Sequence, residues 1–233
     1  MSDQPVRPRR PLYGRRKGHK LRQKQSGLVE TLLPRLRVDL PDDEGRLDPR
    51  SCFAPPAGEI WLEIGFGGGE HLHAQAVAHP EISLIGCEPF INGVAKLLNL
   101  IEAAGTENIR IYDDDARDLL DALADRCLSR VFLLFPDPWP KTRHNKRRFI
   151  QPENLDRLAR VLVPGGEFRF ASDIPDYVRW TLAHIRAHGA FEWLAEGPKD
   201  WRERPADWPA TRYEAKALDA GRVPSYLTFR SLP

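Results

Sequence analysis

Glu63, Glu88, Asp115, Asp137 and Asp173 each stand at the end of a short apolar run. Carboxylates in such places can accept hydroxyl or amino donors and can offset positive charge, but they repel phosphate. Between the first two lies Gly65-Phe66-Gly67-Gly68-Gly69, where bare backbone lets a ligand approach closely. A dinucleotide would set its pyrophosphate against such a turn and wants a third glycine at the next spacing. Position 70 is Glu70, and Glu63 precedes the turn by two residues. This negative charge opposes a pyrophosphate and suits a cofactor that carries a sulfonium and an amino group. The turn therefore points to S-adenosylmethionine over a nicotinamide cofactor. Glu88 is placed to accept both ribose hydroxyls, a role common to both cofactor classes.

A second segment, Phe135-Pro136-Asp137-Pro138-Trp139, sets an acid between two prolines, which fix its direction and remove two backbone donors. A rigid loop of this kind suits the positioning of a substrate. Lys141, Arg143, His144, Lys146, Arg147 and Arg148 follow at once, so phosphates can be held beside the acid and the aromatic ring. Trp139 either stacks on a base or belongs to the core, and both readings stay open. Residues 1 to 37 add eleven lysines and arginines against two acids, on a chain whose net charge is only +2. Local charge on a nearly neutral protein suggests a polyanion partner. The arm is expected to be partly disordered and to contribute to phosphate binding without affecting the cofactor.

The elements that must position these groups alternate. Runs at 60–64, 83–87, 109–112 and 131–135 read as strands, each followed by apolar residues at helical spacing. Glu167 to Ala171 follows the turn Pro164-Gly165-Gly166, Pro175 opens another helix, and Phe191 to Leu194 can form a sixth strand. Residues 197 to 224 show no period, and Ser225 to Ser231 alternates as a half-covered closing strand. The expected fold is α/β, a mostly parallel doubly wound sheet with an antiparallel last strand, whose ligands sit beyond the carboxyl ends of the strands. The expected division is an arm at 1–37 and a single domain at 38–233. No run of eighteen apolar residues occurs and no apolar stretch follows the first basic residues, so a cytoplasmic protein with no membrane contact is expected. Cys52, Cys87 and Cys127 are far apart, and no histidine cluster has ligand spacing, so neither a disulfide framework nor a metal is indicated.

The chain resembles the bacterial-type tRNA (guanine-N7)-methyltransferase family, from about Gly14 to the C-terminus. The resemblance rests on Leu62-Glu63-Ile64-Gly65-Phe66-Gly67, Gly86-Cys87-Glu88, Asp115-Ala116, Phe135 to Lys141, His144-Asn145-Lys146-Arg147-Arg148, Ala171-Ser172-Asp173 and Thr211-Arg212-Tyr213-Glu214. It implies a Rossmann-like class I methyltransferase that uses S-adenosylmethionine to form 7-methylguanosine in tRNA, at position 46 of the variable loop. By the same resemblance Glu63, Glu88, Asp115 and Asp137 bind the cofactor, and Lys141, Asp173, Thr211, Arg212, Tyr213 and Glu214 bind the substrate. The reading of the residues adds Gly65 and Gly67 to the cofactor set and His144 and Arg147 to the substrate set, and Asp137 and Asp173 are expected to be catalytic, since carboxylates can accept the guanine's hydrogens or offset the charge that grows on the purine. Two departures stand out. Pro140 occupies a place where the family often has histidine, and Asp113 and Asp114 crowd the third strand end, so Asp114 remains a substitute for Asp115. Two other readings compete: a methyltransferase acting on another base or a small molecule, and a non-catalytic RNA-binding protein of the same fold. The basic follow-on segment disfavours a small molecule, and a binding module has no reason to keep a site hostile to phosphate.

Overall fold

The computed structural model describes residues 12–42, 45–56 and 58–233. Arg7, Arg9 and Arg10 of the expected arm lie outside them. Seven strands form, β1 (Ile60–Ile64), β2 (Ser83–Cys87), β3 (Ile109–Tyr112), β4 (Leu128–Leu134), β5 (Leu162–Ser172), β6 (Phe191–Trp193) and β7 (Ser225–Ser231). Their order is β3-β2-β1-β4-β5-β7-β6. The first five pair in parallel, whereas β7 runs antiparallel to β5 and β6. β1 is buried at all five positions, which is why its sequence shows no alternation. Strand order reverses between β1 and β4, and the crevice beyond their carboxyl ends is where a doubly wound sheet receives its ligand.

Two local expectations need correction. Pro164-Gly165-Gly166 does not precede the fifth strand but lies within it as a bulge. Leu128 pairs with Leu162 and Arg130 with Glu167, so the extra residues bulge out, with Gly165 at φ +82°. Nor is β7 a closing strand. It is inserted between β5 and β6 rather than at the edge; the expected alternation holds in part, with Leu227 and Phe229 buried and Thr228 and Arg230 progressively more exposed, but Tyr226 is buried too.

Helices cover both faces. On one face α3 (Glu70–Ala78) and α4 (Ile91–Ala104) bring Leu72, Val94, Leu97, Leu98 and Ile101 onto Trp61, Leu84 and Phe132. On the other, α5 (Ala116–Ala122), α6 (Pro152–Val161) and α7 (Pro175–His188) pack Leu119, Leu155, Leu158 and Tyr177 onto Leu62, Val131 and Phe170. The basic N-terminal segment contains two helices, α1 (Gln23–Thr31) and α2 (Leu33–Leu36), which bury Leu28, Leu33 and Leu36. Each such burial contributes about 1.5–3 kcal/mol, enough to dock a short helix on α4. Lys24 pairs with Glu102 of α4 at 2.6 Å. Two more helices, α8 (Lys199–Arg202) and α9 (Arg212–Asp219), lie in the stretch that has no visible period. No helix among the described residues is long and apolar enough to cross a membrane.

Candidate active site

A cavity of about 600 Å³ opens beyond β1, β2 and β4, lined by the glycine turn, Glu88, Gly93, Asp137 and Tyr213. Its floor is backbone. Gly65 and Gly67 have φ of +73° and +58°, and nothing lies within 4 Å of the place where a side chain on Gly65 would stand. The turn is held from behind: a Cβ on Gly93 of α4 would sit 2.1 Å from the Gly67 carbonyl oxygen, so only glycine fits there. Glu88 completes the lock, accepting from Gly67 N–H at 2.8 Å with one oxygen and from Phe90 N–H at 3.0 Å with the other. Burial pushes the Glu88 carboxyl above its ordinary range, against the two backbone donors, and the charges of Asp137 and Glu63 push the same way. A buried carboxylate in this setting gains from further hydroxyl donors and repels phosphate, so the residues present fit an S-adenosyl group and its ribose.

Glu63 lies beneath the turn rather than in the cavity lining. It is buried and takes a 2.7 Å hydrogen bond from Nδ1 of His71, itself buried on α3. His71 Nε2 faces Gln75 at 3.3 Å, and Gln75 donates to the Asp207 carbonyl. The three acids at the third strand end are sorted by three arginines. Arg37 grips Asp113 with two hydrogen bonds, Arg16 pairs with Asp114 at 2.6 Å, and Asp115 caps α5 while binding Arg117. Of the three, Asp115 lines a second cavity of about 420 Å³, beside the first.

Asp137 borders both cavities. Its loop is strained at two bulky residues, Phe135 at φ +51° and Trp139 at φ +43°. Such backbone persists only where its surroundings over-determine it. Phe135 N–H donates to the Ala171 carbonyl at 2.8 Å, and Pro138 O accepts from Arg148 at 3.0 Å. Trp139 is not core: half-buried, it packs edge-on against Tyr13 and His144, and the Arg147 guanidinium lies 4.9 Å from the centres of both the Tyr13 and the Trp139 rings.

The basic segment divides. Lys141, Arg143 and Lys146 are exposed on a 3₁₀ turn at 142–147, and Arg147 borders the second cavity. His144 is held below its ordinary range by partial burial and by the charges of Arg147, Arg143, Lys141 and Lys146. Arg148 is only 1% exposed, so the expectation that the whole run from Lys141 to Arg148 meets phosphates fails at this residue.

Asp173 lies outside the lining of both cavities; Arg222 holds its Oδ2 at 2.5 Å. The segment at 211–214 also divides. Thr211 and Glu214 form a capping box for α9. Glu214 is buried, accepting from the Tyr226 hydroxyl at 2.5 Å and pairing with Arg204 at 3.0 Å. Arg212 and Tyr213 face the larger cavity. Unforeseen in the sequence is a strap at residues 13–19. Gly14 and Arg15 line the larger cavity, Gly18 N–H donates to Asn92 Oδ1 at 2.8 Å, and Ile91 N–H donates to the Arg16 carbonyl at 3.1 Å. No periodicity marks an extended strap, so only the basic composition of this stretch was visible.

Comparison with known proteins agrees with this geometry. A family model described as "Putative methyltransferase" matches residues 57–225. A protein of Rhodospirillum rubrum called tRNA (guanine-N(7)-)-methyltransferase is 58% identical, over 100% of this chain and 92% of its own length. One of the same name from Ruegeria pomeroyi is 55% identical, over 98% and 97%. Among solved structures, the 16S rRNA methyltransferase KamB superposes with a TM-score of 0.54 at 15% identity, covering 76% of this chain and 89% of that one. A 16S rRNA (adenine(1408)-N(1))-methyltransferase variant with cosubstrate SAM, from Catenulisporales acidiphilia, gives 0.52 at 16% identity, covering 80% and 91%. These two likenesses concern the fold alone. With a family model spanning most of the sheet and relatives of more than half identity along nearly the whole chain, this protein belongs to the tRNA (guanine-N(7)-)-methyltransferase family of class I S-adenosylmethionine-dependent methyltransferases.

Proposed function

We propose that this chain methylates N7 of a guanine in tRNA, at position 46 of the variable loop, in the cytoplasm where that substrate resides. The observation that carries the reading is the place of Asp137, on the border between an acidic glycine-turn cavity and a second cavity flanked by Arg147 and Trp139. S-adenosylmethionine, when bound, supplies a methyl group on a positively charged sulfur. Gly65, Gly67, Glu88 and Asp115 would hold it, with Glu63 acting from beneath the turn through the backbone it supports.

Guanine N7 carries an in-plane lone pair and no proton, so the site needs no general base. Its tasks are to bring N7 into line at near-attack distance and to tolerate the positive charge that grows on the purine. Asp137, on a backbone strained at Phe135 and Trp139, is the carboxylate to which we assign both. Asp173 offers a second carboxylate, since its Oδ1 takes no hydrogen bond among the described residues while Arg222 fixes Oδ2. Lys141, Lys146, His144 and Arg147 hold tRNA backbone, Arg212 and Tyr213 reach the substrate across the cavity mouth, and Thr211 and Glu214 keep their helix in place.

The test is incubation with unmodified tRNA and labelled S-adenosylmethionine, followed by strand cleavage specific for 7-methylguanosine. Cleavage at one guanine of the variable loop is expected. Label incorporated elsewhere, or cofactor bound without incorporation, would return the protein to the competing readings of another target base or a binding module.

A further inference from the structure

Arg148 sits in a run of cations yet is buried, and its partners explain why. Nε donates to the Pro138 carbonyl at 3.0 Å, and Nη2 donates to Asp176 Oδ2 at 2.5 Å. The guanidinium lies 4.9 Å from the centre of the Tyr177 ring and 5.1 Å from that of Trp180. Tyr177 and Trp180 in turn hold the chain that follows Arg148: the Tyr177 hydroxyl accepts from Phe149 N–H at 3.0 Å, and Trp180 Nε1 donates to the Ile150 carbonyl at 2.7 Å. Pro138 is the residue after Asp137, and Asp176 lies in the first turn of α7, three residues beyond Asp173. One side chain thus spans the two loops that carry the two carboxylates.

We propose that Arg148 is a positioning residue for methyl transfer: it ties the strained Asp137 loop to the start of the helix that follows Asp173, and so sets the two carboxylates relative to each other. The inference rests on the roles given above to Asp137 and Asp173. A planar fork is required, because two acceptors in different directions and two ring faces are served at once. A lysine supplies one point charge and no plane. The same arrangement removes Arg148 from the phosphate-binding surface.

The test compares Arg148→Lys and Arg148→Met with Arg143→Ala in the full chain. Single-turnover methylation at saturating tRNA and cofactor should slow ten-fold or more in both Arg148 variants, with S-adenosylmethionine affinity within two-fold of the parent. The slope of log tRNA affinity against log salt should not change, whereas Arg143→Ala should flatten it by about 0.7 to 0.9, one phosphate contact. In an Asp137→Asn background the Arg148→Lys change should cost much less than in the parent, because residues that act through one another are not additive. Full activity in Arg148→Lys, a flattened salt slope, or additive losses would overturn the proposal. Should the Arg148 variants fail to fold, Asp176→Asn decides, since that side chain is 58% exposed and the amide oxygen still offers the buried guanidinium an acceptor while the charge pairing is lost. Slowing of three-fold or more supports the clamp, and an unchanged rate overturns it. Full activity in both Asp137→Asn and Asp173→Asn would instead sink the underlying assignment of roles, whatever Arg148 does.

Discussion

At the scale of single residues, Glu88 shows how burial and function pull on one carboxylate. Its two backbone donors favour the ionised form, but burial and the neighbouring acids outweigh them and raise its pKa above the ordinary 4.5. Ribose hydroxyls bind the ionised form, so acidification should weaken cofactor binding at a higher pH than an ordinary glutamate would allow. Titration calorimetry at falling pH should show this loss set in above the range of an ordinary glutamate. Glu88→Ala should cost about 1.5 to 3 kcal/mol of affinity and abolish the pH dependence. His144 is shifted the other way. Partial burial and the charges of Arg147, Arg143, Lys141 and Lys146 hold it below its ordinary range, which disfavours its protonated form. Single-turnover methylation should therefore be flat from about pH 6.5 to 8.5. A single-proton rise in that window that His144→Ala removes would refute the base-free chemistry. Asp173→Asn should slow the same step by ten-fold or more with S-adenosylmethionine affinity almost unchanged, which is about 1.4 kcal/mol of transition-state stabilisation.

At the scale of elements, the strap at residues 13–19 changes what the basic N-terminus is expected to do. Arg16 pairs with Asp114, Gly18 and His19 hydrogen-bond the Asn92 side chain, and Tyr13 packs on Trp139, so the strap joins the β2–α4 connection to the Asp137 loop across the cavity mouth. Deleting residues 1–19 should weaken S-adenosylmethionine binding several-fold as well as tRNA binding, contrary to an arm that serves phosphates alone. Equilibrium binding of the two ligands separately would decide, and an unchanged cofactor affinity would mean that the strap is idle. A sequence reader could not see this, since the strap has neither periodicity nor a cap. α9 was missed for a related reason: it is short, and of its two buried residues only Ala217 is apolar, the other being Glu214. Thr211 and Glu214 at capping-box spacing were the available signal, and they stand together with Arg212 and Tyr213 in one motif that the tertiary structure splits into support and lining.

At the scale of the whole molecule, the net charge of +2 says little, because the cations assigned to tRNA are concentrated on and next to one short turn at 142–147. Affinity for tRNA should fall with salt, by roughly 0.7 to 0.9 in log–log slope for each phosphate contact, and Lys141→Ala, Arg143→Ala and Lys146→Ala should each flatten it. Slopes unaffected by all three would detach this loop from tRNA. The sheet, its strand ends and the glycine turn were legible in the sequence because they follow from local physics. Buried parallel strands demand unbroken apolar runs, helices over them demand a stripe, and a tight turn with positive φ demands glycine. The family resemblance rested on the same local segments. Side-chain partnerships were not legible, because they join residues far apart in the chain. Nothing local distinguishes Arg148, buried against Asp176 and Pro138, from exposed Arg143 five residues earlier, and Asp115 was set apart from Asp113 and Asp114 only by the alanine that follows it. Only the packing of α7, α2 and the strap against the strand ends decided which charges face a ligand and which hold the fold together.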